Sequence, residues 1–268
     1  MRHRALVPLL AAALLLVLTA APATARQSSV TGRYVHGIPD AVVDVYSNGQ
    51  LNVQAFRFGT LSDPLAPQPG AVRVEVLPTG AALGSPVLVG GDFELPADSD
   101  VTVAVHLTEA GAPEVTRFLN DPSGLQPGQG RVTVRHIAAA PQVDVRLGDG
   151  PALAGVRNGR EVSAEVAAGA FEITVALAGS DEPLVEPVMV DVPAGSQTIV
   201  YPVGSAEEGT LDLLVQTVSG GPAAPSGVPT GNGGAAAPAG MPPLLAGTAA
   251  LAAAAACTAA RRLARGPR

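Results

Sequence analysis

The 268-residue chain has no tryptophan, no lysine and one cysteine, and three tyrosines and five phenylalanines are its whole aromatic complement. Each shortage closes off a kind of chemistry. Without lysine there is no Schiff base, no lysine nucleophile and no Lys–Asn isopeptide crosslink. A lone cysteine, Cys257, cannot close an internal disulfide. Folded parts must therefore rest on core burial, which needs domains of about 80 residues or more. So few aromatic rings leave little for stacking on sugars, which weighs against a glycan hydrolase or a carbohydrate-binding sandwich. No Gly-x-Ser-x-Gly elbow and no Asp-x-Asp-x-Asp-Gly calcium loop occurs.

The basic residues present are all arginine, 16 of them, and only ten fall between residues 26 and 240, where all 23 acidic residues lie. So acidic a body argues against nucleic acid or anionic lipid as a partner. The Ala, Gly and Pro excess, with arginine in place of lysine, resembles proteins of high-GC bacteria such as actinobacteria.

Both ends carry export signals. Arg2 and Arg4, the apolar run Leu9 to Leu18 and Ala23-Thr24-Ala25 read as a secretory signal peptide over residues 1–25. Residues 241–260 are uncharged, long enough as a helix to span about 30 Å, and are followed by Arg261, Arg262, Arg265 and Arg268. That is a transmembrane helix with a basic cytoplasmic tail over 261–268, although its alanine content makes it a weak anchor. The segment "GVPTGNGG" lacks the leucine of a sortase pentapeptide, so wall attachment or plain secretion stands as the alternative. Residues 220–240 form a Pro/Gly/Ala stalk with too few apolar side chains to fold.

Between the ends lies a repeat. "RYVHGIPDAVVDVYSNG" from Arg33 returns as "TVRHIAAAPQVDVRLGDG" from Thr133, with His36 and Asp44 falling one hundred residues before His136 and Asp144. "PGAVRVEV" then meets "AGAFEITV", and "LPADSDVTV" meets "VPAGSQTIV". Within each copy apolar and polar residues alternate in short runs bounded by Gly, Pro, Asn and Asp, the pattern of half-buried strands. About seven such runs per copy predict two tandem immunoglobulin-like antiparallel β-sandwiches. Their limits are 26–122 and 131–219, joined by a short polar linker over 123–130, and each is expected to fold independently.

The residues "VHGIPDAVVDVYSNG" and "FGTLSDPLAPQPGAVRVEVLPTG" resemble the opening motif and following strands of the domain of unknown function 4397 family, bacterial extracytoplasmic β-sandwich modules. The likeness is close over Arg33 to Leu119 and looser over Arg131 to Val218, where Ala140 and Arg146 replace the motif's aspartate and tyrosine. It implies location and architecture, and no biochemical role.

A His-x7-Asp pair in each copy, His36 with Asp44 and His136 with Asp144, invites a catalytic or metal reading. Neither a nucleophile nor a third and fourth ligand accompanies it, and His106 has no counterpart in the second copy. The pairs are instead expected to be structural, each imidazole meeting a carboxylate or a loop carbonyl and pinning the hairpin in register. The sequence thus predicts no catalytic residue, no metal and no cofactor. It points to a membrane-anchored cell-surface module that binds an unidentified extracellular protein or envelope polymer, or acts as a spacer. A wall-polymer hydrolase and a metal-dependent adhesive protein are the alternatives.

Overall fold

The computed structural model describes residues 28–150 and 152–220. The expected signal peptide at 1–25, most of the expected stalk, the expected span at 241–260 and the expected tail at 261–268 lie outside these residues. Among the described residues no helix is long and apolar enough to cross a membrane.

Sixteen strands form in two sets of eight. The first set is β1 (Val30–His36), β2 (Val42–Ser47), β3 (Gln50–Arg57), β4 (Thr60–Leu61), β5 (Gly70–Pro78), β6 (Val89–Leu95), β7 (Ser99–Leu107) and β8 (Pro113–Asn120). The second is β9 (Gln129–His136), β10 (Val143–Leu147), β11 (Ala152–Val156), β12 (Arg160–Ala167), β13 (Gly169–Leu177), β14 (Val188–Val192), β15 (Ser196–Val203) and β16 (Asp212–Ser219). Each set makes two four-stranded sheets, in the orders β4-β1-β7-β8 and β3-β2-β5-β6, then β12-β9-β15-β16 and β11-β10-β13-β14. The two sets are the same fold twice.

The sheets are mixed rather than purely antiparallel. β1 runs parallel to β7 along its full length, and β9 runs parallel to β15. A parallel pair at the middle of a sheet is usually covered on both faces, and both pairs are. On β7, Val101, Val103, Val105 and Leu107 point into the first core, against Val43, Val45, Val72, Val74 and Val76 of the facing sheet. Val132, Val134 and Val200 do the same in the second core, against Val143, Val145, Leu147, Ile173 and Val175.

The alternate residues of these strands are buried as well. Val35, Ala104 and Phe118 of the first set pack on Ile137, Ile199, Tyr201, Val203 and Val218 of the second, forming a third core between the sandwiches. The result is a stack of four sheets. Alternation predicted outer faces open to water; the structure covers two of them, because their polar residues satisfy one another across the junction.

Arg135 is the centre of that junction and has no exposure to solvent. Its guanidinium donates to Asn120 Oδ1 at 2.6 Å, Leu119 O at 2.8 Å, Tyr201 OH at 3.0 Å and Glu161 Oε2 at 2.7 Å. It lies 4.7 Å from the Phe118 ring centroid and 5.8 Å from that of Tyr201, so cation–π attraction adds to the hydrogen bonds. Tyr201 OH donates in turn to Gln216 Oε1 at 2.7 Å, which Thr102 reaches from the first sandwich at 3.2 Å.

The linker is shorter than its glycines suggest. β9 starts at Gln129, and a Cβ on Gly130 would stand 2.7 Å from the carbonyl oxygen of Pro193. That glycine permits close packing rather than marking a loop. Arg131 then ties the remaining segment down, donating to the carbonyls of Asp121 and Ser123.

Removing the Arg135 guanidinium leaves buried acceptors on Asn120 and Tyr201 without their donor, at about 1–3 kcal/mol each, while Glu161 is 41% exposed and keeps its water. Arg135→Ala is therefore expected to lower the stability of the joined pair by about 2–5 kcal/mol, read in urea melts. For the same reason, halves separated between residues 124 and 128 should each melt below the intact chain and should re-associate when mixed. Halves that melt like the parent and elute as monomers would show that the junction contributes nothing.

Candidate functional site

The His and Asp of each motif sit on adjacent strands, β1 with β2 and β9 with β10, yet the structure gives them separate partners. His36 is fully buried, with its ring 5.4 Å from that of Phe56. Its Nε2 lies 3.2 Å from Ala41 O, and its Nδ1 accepts the Ile38 N–H at 3.3 Å. His136 repeats this, with Nε2 2.9 Å from Pro141 O and Nδ1 accepting from Ala138 at 3.4 Å. One neutral tautomer, protonated on Nε2, fits both bonds in each copy. Of the two partners expected for the imidazole, the structure selects the loop carbonyl.

The carboxylates organise a different region. Asp44 accepts from the N–H of Ala55 at 2.8 Å, the Thr79 hydroxyl at 3.1 Å and the N–H of Gly80 at 3.1 Å. Asp144 accepts from the N–H groups of Gly155 at 2.6 Å and Gly179 at 2.9 Å. In both copies the register slips beside the aspartate, between Val43 and Val45 and between Val143 and Val145, so an extra residue bulges from β3 or β11. Ala55 and Gly155 hold that place in the left-handed region, at φ 51° and 65°. Each carboxylate thus joins a bulge on one neighbouring strand to a turn after another. The glycine inside an otherwise apolar β11 was the visible sign of the bulge; Ala55 gave none.

Charge follows from these contacts. Burial lowers the His36 pKa to about 4, against a weaker upward pull from the Ala41 carbonyl. Burial also lowers His136, and it lowers His106, which sits at the junction with Nδ1 2.9 Å from Leu107 O and Nε2 2.9 Å from Thr116 Oγ1. For Asp44, burial pushes the carboxyl up, but its three donors together outweigh this and hold it below the usual range. Asp144 is held low mainly by the N–H groups of Gly179 and Gly155.

A second feature belongs to the first sandwich alone. After two residues of β4, paired to Val35 and His36, Ser62 still bonds Tyr34 of β1; the segment 63–69 then leaves the sheet edge and touches it again where Leu65 meets Gly32. A cavity of about 490 Å³ opens there between the sheets. Its apolar wall includes Val72, Val74, Leu95, Val101 and Val103. At its polar side Tyr34 OH and Ser47 Oγ stand 2.6 Å apart, and Asn52 Nδ2 donates to Ser47 Oγ at 2.6 Å. In the second sandwich β12 pairs with β9 for eight residues and closes the same edge. No sequence signal marked this trio.

Residues 31–146 match the domain of unknown function 4397, a stretch from β1 through most of β10. No curated protein matches the chain. A leucine-rich repeat protein from Bacteroides thetaiotaomicron VPI-5482, known from a crystal structure, is similar at 12% identity and a TM-score of 0.19. The likeness covers 66% of this chain and 26% of that one, and at that score it carries no argument.

His36 and Asp44 share no bond, so His36→Ala and Asp44→Ala are each expected to cost roughly 1–3 kcal/mol and to add within about 0.5 kcal/mol in the double variant. Chemical denaturation of the four proteins measures this, and a double variant well short of the sum would indicate direct coupling. Ala55→Gly should stabilise the first sandwich by up to about 1 kcal/mol, since it relieves a left-handed alanine.

The unfolded chain takes up a proton at His36 near pH 6.5, and the folded chain only near 4. Stability is therefore at its plateau above 6.5 and falls as pH drops from 6.5 towards 4, by roughly 3 kcal/mol for this residue. His106 and His136 act in the same direction. Melts across that window should show the decline, and His36→Gln should make it shallower.

Proposed function

We propose that the chain, whose residues 31–146 match the domain of unknown function 4397, is a non-catalytic, extracytoplasmic module of fixed shape. It acts in binding, or as a spacer, on the cell surface. One observation carries this reading: the buried Arg135 junction turns two small sandwiches into a single four-sheet body. A flexible tether would serve to join two independent domains. A desolvated interface with charged and aromatic groups in register serves instead to fix the direction in which loops and outer sheets are presented.

The proposed placement rests on the sequence. The signal peptide at 1–25 exports the chain, the span at 241–260 holds it, and the stalk at 220–240 sets it off from the bilayer. An extracellular protein or an envelope polymer is the proposed partner, and the acidic body disfavours nucleic acid.

Spin labels on the two outermost sheets, through Glu94→Cys and Met189→Cys with Cys257→Ser, test the shape. A single narrow interlabel distance is expected, broadened by Arg135→Ala. A broad distribution in the parent would defeat the reading. Protease added to intact protoplasts should remove the sandwiches and leave a small C-terminal fragment; release of the whole mature protein by a salt wash would defeat the anchor.

A further inference from the structure

The cavity of the first sandwich stands at positions that the second copy of the fold, among the described residues, fills with side chains. At one-hundred-residue spacing, Gly32 corresponds to Val132, Tyr34 to Val134, Ser47 to Leu147 and Asn52 to Ala152. Val132, Val134 and Leu147 are fully buried in the second core. The second copy therefore fills with apolar atoms the positions where the first keeps a glycine and two hydroxyl groups, and puts an exposed alanine where the first has Asn52. Gly32 makes the room: a Cβ there would already touch Pro67 at 3.4 Å and Val101 at 3.7 Å. A core that gives up that much apolar packing loses stability unless something occupies the space.

Counting hydrogens indicates what fits. Tyr34 and Ser47 carry one hydroxyl hydrogen each, and the bond between them uses one, whichever donates. Asn52 Nδ2 donates to Ser47 Oγ and lies 3.5 Å from Tyr34 OH, which takes up its two hydrogens, so one hydroxyl hydrogen and the Asn52 carbonyl oxygen are left over from the trio. A group presenting an acceptor oxygen beside an N–H donor matches both. No carboxylate lines the cavity, and the side chain of its one arginine, Arg33, lies on the face of β1 opposite Tyr34, with its guanidinium 3.0 Å from the carbonyl of Ser62. We propose that this cavity is a binding site for a small uncharged aliphatic amide, its carbonyl taking the free hydroxyl hydrogen, its N–H meeting Asn52 Oδ1 and its alkyl part lying on the valine wall.

The proposal rests on reading the chain as a binding module. Its probes are N-hexylacetamide, hexyl acetate, which lacks the N–H, and octanoate, which carries charge, each titrated into the full-length protein with methyl resonances followed by NMR. N-hexylacetamide should saturate shifts at Val74, Val101 and Val103 while Val132 and Val134 stay still. Hexyl acetate should bind several-fold more weakly, and octanoate should not saturate. Gly32→Val, which copies the second sandwich, should abolish binding. Tyr34→Phe and Ser47→Ala each leave one hydroxyl hydrogen and should bind within about two-fold of the parent, whereas the double variant leaves none and should lose about ten-fold. Absence of saturation in the parent, equal binding of amide and octanoate, or binding that persists in a folded Gly32→Val protein would overturn the site. If Gly32→Val does not fold, the comparison of the three probes on the parent decides. Failure here would leave the fixed shape of the pair standing, since the interlabel distance tests that separately.

Discussion

A guanidinium can be withdrawn from water only if nearly every one of its donors is matched and its charge is answered close by. At Arg135 four acceptors from both sandwiches and two aromatic faces do this together. Much of the rest follows from that requirement. Asn120 and Leu119 must end β8 at the right height, Tyr201 must turn its hydroxyl inward, and Glu161 must lie on the strand next to β9. None of these positions can shift without stranding a buried charge. The junction therefore sets orientation more sharply than an apolar surface of similar size would, since apolar contacts tolerate sliding.

The histidines and aspartates work on a smaller scale by the same logic. Each imidazole closes the reversal that follows its own strand, and each carboxylate gathers backbone N–H groups that a bulge or a turn would otherwise leave unpaired. These bonds keep the ends of β2 and β10 in one register. They also place groups with displaced protonation inside the body, where acid acts on folding rather than on a reaction.

The repeat, the strand-rich class and the equivalence of His36 with His136 and of Asp44 with Asp144 were legible because they recur at fixed spacing on a period of two. The covered faces were not. Thr102, Ala104 and His106 on β7 read as a water-facing side, since small and polar residues alternate with valine there, and one sequence cannot tell polar groups that meet water from polar groups that meet each other. The parallel pairing of β1 with β7 was hidden for a related reason: alternation gives the faces of a strand but not its neighbours. The cavity escaped because its cause is a difference between copies. Gly32 means little until Val132 is seen filling the same place.

The two sandwiches meet through equivalent surfaces: the sheet containing β1, β7 and β8 lies against the sheet containing β9, β15 and β16. Like faces in contact make an isologous interface, the geometry of a two-fold dimer, here carried on one polypeptide. In a dimer of identical chains every substitution at such a surface appears twice, and an arginine near the axis would bring its own copy with it. Fusion removes that restriction. Arg135 corresponds to Val35 and Tyr201 faces the same junction as the smaller Ala104, so one side carries a charge and a ring where the other carries compact apolar groups. Covalent linkage has thus broken the symmetry of the pair, and the asymmetry places Arg135 on one side of it.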